Sequence, residues 1–204
     1  EGRNPLIGDE GLCYTGRLEW LPLGAFANNG DYSEGDLEME PRPKLSLGAA
    51  YCYNHKARRT AGQLGQELYA PVDIGTLIGD AMLKCQGWAL LAEWFDRRSP
   101  SPITTDPQGL VRFVTTGTGL SAQVSKYWRS RFELALRYAA AQPRGEVGAL
   151  RSMADEVIAG ATRYLNAHRV KLQAQLGYRW LAGRPAITAP GNGWTALFQV
   201  ELGI

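Results

Sequence analysis

Twelve charged residues of this chain lie on one side of a two-residue repeat, where fixed charges can act on dissolved ions. Seven are cations and five are carboxylates. A phosphate site that strips water from its ligand needs several Arg or Lys converging without nearby carboxylates. The mixed set therefore predicts a wet, pore-lining surface with mild selectivity, in which the charges form cross-strand ion pairs or stay solvated. The residues are Arg17, Glu19, Lys44, Asp80, Lys84, Glu93, Arg97, Glu133, Arg137, Lys171, Arg179 and Glu201.

No motif places a nucleophile, a nucleotide or a metal, so we predict no enzyme activity and no cofactor. The GTG run at Gly117–Gly119 lacks the third glycine and the strand–helix context of a dinucleotide site. His55 falls in a predicted loop and His168 in a predicted turn, and Asp96 lies near a strand end without a partner histidine. These positions argue against metal or acid–base roles.

The composition is that of an ordinary globular protein, with 45% apolar and 21% charged residues. A net charge of +2 suggests no nucleic-acid partner. Cys13, Cys52 and Cys85 are odd in number and form no CxxC pair, so neither a disulfide framework nor a zinc site is predicted. We expect buried or lipid-facing free thiols. The start carries no initiator Met and no signal peptide, which predicts a processed chain or a fragment.

The longest apolar run, GTLIGDAMLKCQGWALLAEWF at residues 75–95, shows which elements position the charges. Its length suits a membrane helix, but four polar or charged residues interrupt it. Read with a period of two, the run resolves into two strands joined by Gln86 and Gly87.

The same alternation recurs along the chain and predicts about nine strands. Most are near ten residues, longer than usual in soluble proteins and long enough to cross a bilayer when tilted. The segment 156–165 also fits a helix, but the turn Asn166–His168 feeds directly into the next strand, which favours a strand. The predicted strands are 14–20, 44–54, 77–85, 88–95, 120–128, 132–139, 156–165, 170–180 and 194–204.

The faces of these strands predict an all-β fold, an antiparallel transmembrane β-barrel in the bacterial outer membrane, with residues 1–204 as one domain. The apolar rows end in Trp and Tyr, as at the two headgroup levels of a bilayer. The charged rows need water, and strands cross lipid only in a closed barrel. We therefore expect Leu172, Leu176, Phe198 and Val200 to face lipid, and Lys171, Arg179, Gln199 and Glu201 to face the lumen.

The connections predict an orientation. The links at 86–87, 129–131 and 166–168 are tight, whereas 55–73, 97–118, 140–155 and 182–193 are long. Short periplasmic turns and long outer loops are typical of outer-membrane barrels. The link Pro22–Pro43 is an exception, because it is long but falls on the periplasmic side. The apolar row Trp194–Ile204 resembles the C-terminal signal of the barrel-assembly machinery.

An ordered set of segments resembles the phosphate-selective porins O and P. The segments are YTGRLEWLPLGAF, GDYSEGDLE, PKLSLGAAYCYN, GQLGQELY with DI and TLIGDAMLK, GWALLAEWFDR with PIT, and FQVELGI, and they cover most of the chain from about Gly11. The resemblance implies a sixteen-stranded, trimeric porin for passive diffusion of anions such as phosphate. It identifies this chain with the C-terminal nine strands, incomplete at the N-terminus.

We therefore expect a passive, water-filled channel whose nine strands do not close a barrel alone. The expected partners are outer-membrane lipids, lipopolysaccharide, small anionic solutes, and a homotrimer or other envelope proteins. The HKARR run (His55–Arg59) is interpreted as a solvated loop, an anion funnel or a lipopolysaccharide contact. Two alternatives stay open: a structural or docking barrel with an occluded lumen, and a soluble lipocalin-like binding barrel.

Overall fold

The computed structural model describes residues 11–166, 169–182 and 191–203. In these ranges, no helix has the length and apolar character needed to cross a membrane. Two short 3-10 helices lie at Ala27–Tyr32 and Gly145–Ala149. The strands are β1 (Cys13–Trp20), β2 (Lys44–Arg59), β3 (Glu67–Cys85), β4 (Trp88–Arg98), β5 (Ile103–Thr105), β6 (Val111–Phe113), β7 (Gly117–Trp128), β8 (Phe132–Pro143), β9 (Met153–Asn166), β10 (Val170–Ala182) and β11 (Gly193–Leu202).

Nine strands form one antiparallel sheet in the order β1-β2-β3-β4-β7-β8-β9-β10-β11, and β5 and β6 form a separate hairpin. The nine predicted strands are confirmed, including β9, for which the sequence also allowed a helix. Within the described residues, β1 and β11 are the two edges of the sheet and do not pair with each other. The last residue of the predicted terminal strand, Ile204, and His168 of a predicted turn lie outside the described residues.

The tight turns at 86–87 and 129–131 are where the sequence predicted them. Gln86 and Gly87 join β3 to β4 with φ values of 48° and 83°. Positive φ at both central positions is the signature of the type I′ hairpin turn, whose twist matches that of the paired strands. A Cβ on Gly87 would lie 2.5 Å from the carbonyl oxygen of Tyr127, so this position also requires glycine for space.

Strands β2 and β3 extend well beyond their predicted ends. Residues 55–73 were predicted to be a long link, but the ladder continues to the pair Arg59–Glu67, with register shifts on the way. The loop assignment of His55–Arg59 is therefore wrong, because these residues are the end of β2. Here Val72 and Ile74 belong to an apolar row on the same face of β3 as Asp80, so the period-two pattern of the sheet is reversed in the extension.

The two faces of the nine-strand sheet differ sharply. We call the face with Arg17, Asp80 and Arg137 the polar face, and the opposite face, with Leu18 and Phe198, the apolar face. Large hydrophobic side chains on the apolar face are uncovered: Leu18 is 80% exposed and Phe198 is 67% exposed. The expected sidedness of β10 and β11 agrees with the register, which pairs Leu172 with Val200 and Lys171 with Glu201.

The buried residues lie away from the apolar face, and about half of them are polar or charged. Asp36, Lys84, Ser125 and Glu133 are all buried. The one cluster of buried apolar residues in the described ranges sits at the end of the sheet that carries the long links, between the β2–β3 hairpin and the segment after β6. It consists of Ala57, Leu68, Val72, Ile74 and Val114.

The cysteines are distributed differently from the prediction. Cys13 is exposed, and the register places it with Cys52 on the polar face, so the expectation of buried or lipid-facing thiols is wrong for this pair. Cys85 pairs with Trp88 on the apolar face and is half-buried. All three are free thiols.

The strands are staggered in a regular way. The row of paired residues that begins at Trp20, the last residue of β1, ends at Trp194, near the first residue of β11. Trp194 lies eight positions before Leu202, the last residue of that strand, and eight strand-to-strand steps separate β1 from β11. The strand ends therefore shift by about one residue per strand. With a rise of about 3.3 Å and a strand spacing of about 4.8 Å, this stagger corresponds to a tilt of about 35°.

Candidate functional site

The register places all twelve predicted lining residues on the polar face. A single row of pairs shows this: Asp80 opposes Glu93 on β4, Glu93 opposes Ser121, and the row reaches Arg179 through β8 and β9. The neighbouring rows of the same face carry Lys44, Lys84, Glu133, Lys171 and Glu201. A shared face is what a pore lining requires, and the pore itself stays a prediction.

One ion pair crosses three strands of this face. Arg17 on β1 donates two hydrogen bonds, of 2.6 and 2.8 Å, to the carboxylate of Asp80 on β3. Gly48 on the intervening β2 makes room, because a Cβ there would lie 2.4 Å from both Asp80 oxygens. On the same side, Ser46 donates a 2.7 Å hydrogen bond to Glu19. Two of the predicted carboxylates are therefore partnered at one edge of the sheet.

The link between β1 and β2, residues 21–43, folds back onto the polar face, and we call it the inner loop. Lys84 holds it: its Nζ donates hydrogen bonds of 2.6 to 2.7 Å to the carbonyl oxygens of Gly30, Ser33 and Gly35. The side chain is only 2% exposed. Lys84 lies on the predicted face, but its charge is directed at the loop and not at an open lumen.

The Asp36 carboxylate and the Glu40 backbone carbonyl tie the inner loop to the β3–β4 turn. Asp36 accepts a 2.7 Å hydrogen bond from the backbone N–H of Gly87 and a 3.1 Å bond from that of Glu40. The carbonyl oxygen of Glu40 in turn accepts a 2.7 Å bond from the N–H of Gln86. These contacts satisfy buried backbone groups that would otherwise lack partners. The loop is thus fixed at the short-turn end of the sheet.

A cavity of about 610 Å³, the loop cavity, separates the inner loop from strands β7 to β11. Four predicted lining residues contribute to its wall: Glu133, Arg137, Lys171 and Glu201. Lys171 and Glu201 form an ion pair of 3.0 Å, and Glu133 accepts a hydrogen bond from the buried Tyr164 hydroxyl. No partner for the Arg137 guanidinium is found in the described ranges. The cavity therefore holds both signs of charge, as the sequence predicted.

A second cavity, of about 650 Å³, lies at the long-link end, and we call it the arginine cavity. Its described lining contains Arg97, Arg112 and Arg151 but no Asp or Glu. The guanidinium groups of these arginines contact neutral groups. Arg97 donates a hydrogen bond to the Thr76 hydroxyl, and Arg151 donates one to the Thr115 hydroxyl. Arg112 donates a hydrogen bond to the backbone carbonyl of Glu67 and stacks on the Tyr69 ring at 4.3 Å. Hydroxyl groups complete the wall: Thr60, Thr115, Thr116, Thr118 and Ser152.

Only one member of the arginine cavity, Arg97, was among the predicted lining residues. Arg112 lies on β6 and Arg151 just before β9, both in segments predicted as long links. The sequence signal that could have pointed to this cavity was the Arg-rich composition of these links. Their convergence depends on the packing of separate segments, which alternation along a strand does not encode.

Charged side chains also form ordered contacts in the part of the β2–β3 hairpin that lies beyond Tyr53. Asp73 accepts a 2.8 Å hydrogen bond from the backbone N–H of Lys56 and lies 3.1 Å from the His55 ring nitrogen Nδ1. The Lys56 amide, helped by Tyr53 and His55, lowers the pKa of the Asp73 carboxyl below its usual value. The HKARR residues therefore take part in an ordered polar strand end.

In the described ranges, no group of three His, Cys, Asp or Glu side chains could hold a metal ion. Comparisons with protein-family models, curated proteins and solved structures give no match. The resemblance to the phosphate-selective porins therefore stays a prediction.

Proposed function

We propose that this chain is part of an outer-membrane β-barrel that acts as a passive, water-filled channel for small anions. The observation that carries the proposal is the inverted burial of the sheet. Leucine, tryptophan and phenylalanine side chains are uncovered on one face, whereas charged residues such as Lys84 are buried on the other. Soluble monomers rarely expose an apolar patch beyond a few hundred Å², and a face across nine strands is far larger. Lipid would cover this face.

The stagger of the strands supports a barrel. A tilt of about 35° lies at the lower bound of the range for barrel strands, and an untilted sheet does not close. In this proposal, additional strands pair with the free edges of β1 and β11, which gives the sixteen-stranded porin of the resemblance. Such barrels place short turns in the periplasm, so the inner loop would lie near the periplasmic mouth.

The arginine cavity supports anions as the solutes. Three guanidinium groups without a carboxylate among the described lining residues create a positive potential, which concentrates anions at the outer mouth. Deeper in the sheet, the mixed charges of the loop cavity partly cancel. A focused ring of one sign discriminates strongly, whereas a mixed lining does not. The proposal is therefore a mild anion preference, for which phosphate is one candidate solute.

Planar bilayer recordings under a salt gradient test this function. We expect stepwise conductance and a reversal potential of the anion-selective sign. Replacing Arg97, Arg112 and Arg151 by Gln should move the reversal potential towards zero. The variant Arg129→Gln, which removes one charge from an exposed turn at the opposite end, is the control and should leave it unchanged. Cation selectivity of the unmodified protein would refute the anion assignment.

One observation favours a second candidate function, a structural or docking barrel in an envelope complex. The inner loop is fixed by three Lys84 hydrogen bonds and covers part of the polar face. If the loop closes the lumen, the unmodified protein should show no conductance, and Lys84→Met, which releases the loop, should gain it. A lipocalin-like soluble barrel would instead stay in the aqueous phase during detergent partitioning.

A further inference from the structure

Two thiols lie close together on the polar face, although the sequence suggested no disulfide. Cys13 is near the start of the edge strand β1, and Cys52 is on β2. Their Sγ atoms are 3.5 Å apart. The register pairs Thr15 with Cys52 and Cys13 with Asn54, so the two cysteines are diagonal neighbours across the strand pair.

The surroundings permit these sulfur atoms to bond. A disulfide has an S–S distance of about 2.05 Å, so the atoms must approach by about 1.5 Å. Cys13 is the first residue of β1, so the shift is needed only at the end of a strand, whichever strands pair with β1. Cys13 is exposed and can be reached by an oxidant, and the Asn54 amide contacts the Cys52 sulfur at 3.5 Å.

The location also suits a disulfide. Cys13 and Cys52 lie towards the long-link end of the sheet, opposite the end where Trp20 and Lys44 flank the inner loop. In the orientation proposed above, this end faces the cell exterior. Disulfides persist outside the reducing cytosol, in the periplasm and at the cell surface.

We propose that Cys13 and Cys52 form a disulfide site that ties the edge strand β1 to β2. The oxidant is a disulfide, either of a thiol–disulfide oxidoreductase or of a small thiol. One cysteine thiolate attacks it, forms a mixed disulfide and releases one thiol. The second cysteine thiolate then displaces the other thiol. The protein loses two protons and two electrons, and the oxidant becomes two thiols. The inference depends on the proposed function only for its oxidising location.

Mass spectrometry of the folded protein tests the site directly. The reduced protein in detergent micelles is treated with glutathione disulfide, then denatured and alkylated with iodoacetamide. We expect one alkylated cysteine, Cys85, and a bridged peptide pair that has lost two hydrogens. The variant Cys85→Ser should still form the bridge and show no alkylation. The matched variant Cys13→Ser should show no bridge, with Cys52 alkylated or carrying glutathione.

Three outcomes would overturn the inference: three alkylated cysteines in the treated protein, separate glutathione adducts on Cys13 and Cys52, or a bridge that includes Cys85. Conductance recorded from the same reduced and oxidised samples keeps the two proposals apart. A bridge without conductance refutes the channel and supports the disulfide site. Conductance without a bridge refutes the disulfide site alone.

Discussion

The substitution Phe198→Arg distinguishes a lipid-facing surface from a water-facing one. Phe198 lies on the apolar face, midway between Trp194 and Leu202 on β11, and is 67% exposed. Arg at the midplane of a lipid-facing strand costs about 2–4 kcal/mol in the free energy of unfolding. A surface substitution in water usually changes this free energy by less than about 0.5 kcal/mol. A loss of about 2–4 kcal/mol corresponds to a roughly 30- to 700-fold change in the folding equilibrium constant.

Leu197→Arg provides the matched control. Leu197 is the adjacent residue, but it lies on the polar face and lines the loop cavity. The inserted side chain is the same, so only the face differs. We expect Leu197→Arg to stay within about 0.5 kcal/mol of the unmodified protein, because its guanidinium reaches water.

Denaturant titrations of protein reconstituted in lipid vesicles provide the measurement, with the midpoint and slope determined for both variants. The expected result is a large loss for Phe198→Arg and almost none for Leu197→Arg. If both variants lose the same stability, or if Phe198→Arg stays within about 0.5 kcal/mol, lipid does not contact this face. The assignment of the apolar face would then fail for the whole sheet, because one register links all nine strands.

Three further predictions concern the lining and the hairpin. Lys84→Met should release the inner loop, because it leaves three loop carbonyls without their donor, and it should therefore raise single-channel conductance. Lys44→Met is the control. It removes one 3.1 Å hydrogen bond to an exposed loop carbonyl and should change the conductance little. Arg137→Glu and Lys171→Glu should together shift the reversal potential towards cation selectivity, since both line the loop cavity. Asp73 has a lowered pKa, so its stabilising effect is complete above about pH 4 and is lost as the pH falls below that value. The protection factor for amide hydrogen exchange at residues 54–57 should therefore fall in acid, and Asp73→Asn should remove this pH dependence.

Clear results would contradict each of these predictions. Equal conductance of Lys84→Met and Lys44→Met would mean that the inner loop does not restrict the lumen. If strong anion selectivity persists after both charge reversals, charges elsewhere control permeation. The arginines of the arginine cavity are then the first candidates. A protection factor that falls equally in Asp73→Asn would mean that another group causes the acid sensitivity.

The sequence predicted the sheet well because its signal is local. Alternation needs only neighbouring residues, and it identified nine strands, their order along the chain and the shared face of the twelve predicted lining residues. The turn Gln86–Gly87 was found for the same reason, since its conformation depends on the two residues themselves.

The remaining features depend on contacts between distant segments. Lys84 was expected to line a lumen, but residues about fifty positions away cover it. Arg112 and Arg151 meet only because two links pack together above β4. The 3.5 Å approach of Cys13 to Cys52 follows from the diagonal geometry of the β1–β2 pair, which CxxC spacing cannot reveal.

The order of the sheet has a consequence for how such a protein could change in size. Every strand of the nine pairs only with the strand before and the strand after it, apart from the small inserted hairpin. Paired strands are therefore neighbours along the chain, and each hairpin forms one unit of the wall. Duplication or loss of one hairpin would change the circumference by two strands while leaving the other pairings intact. The gene could thus widen or narrow the sheet in even steps, and each added hairpin would bring its own outer link to diversify.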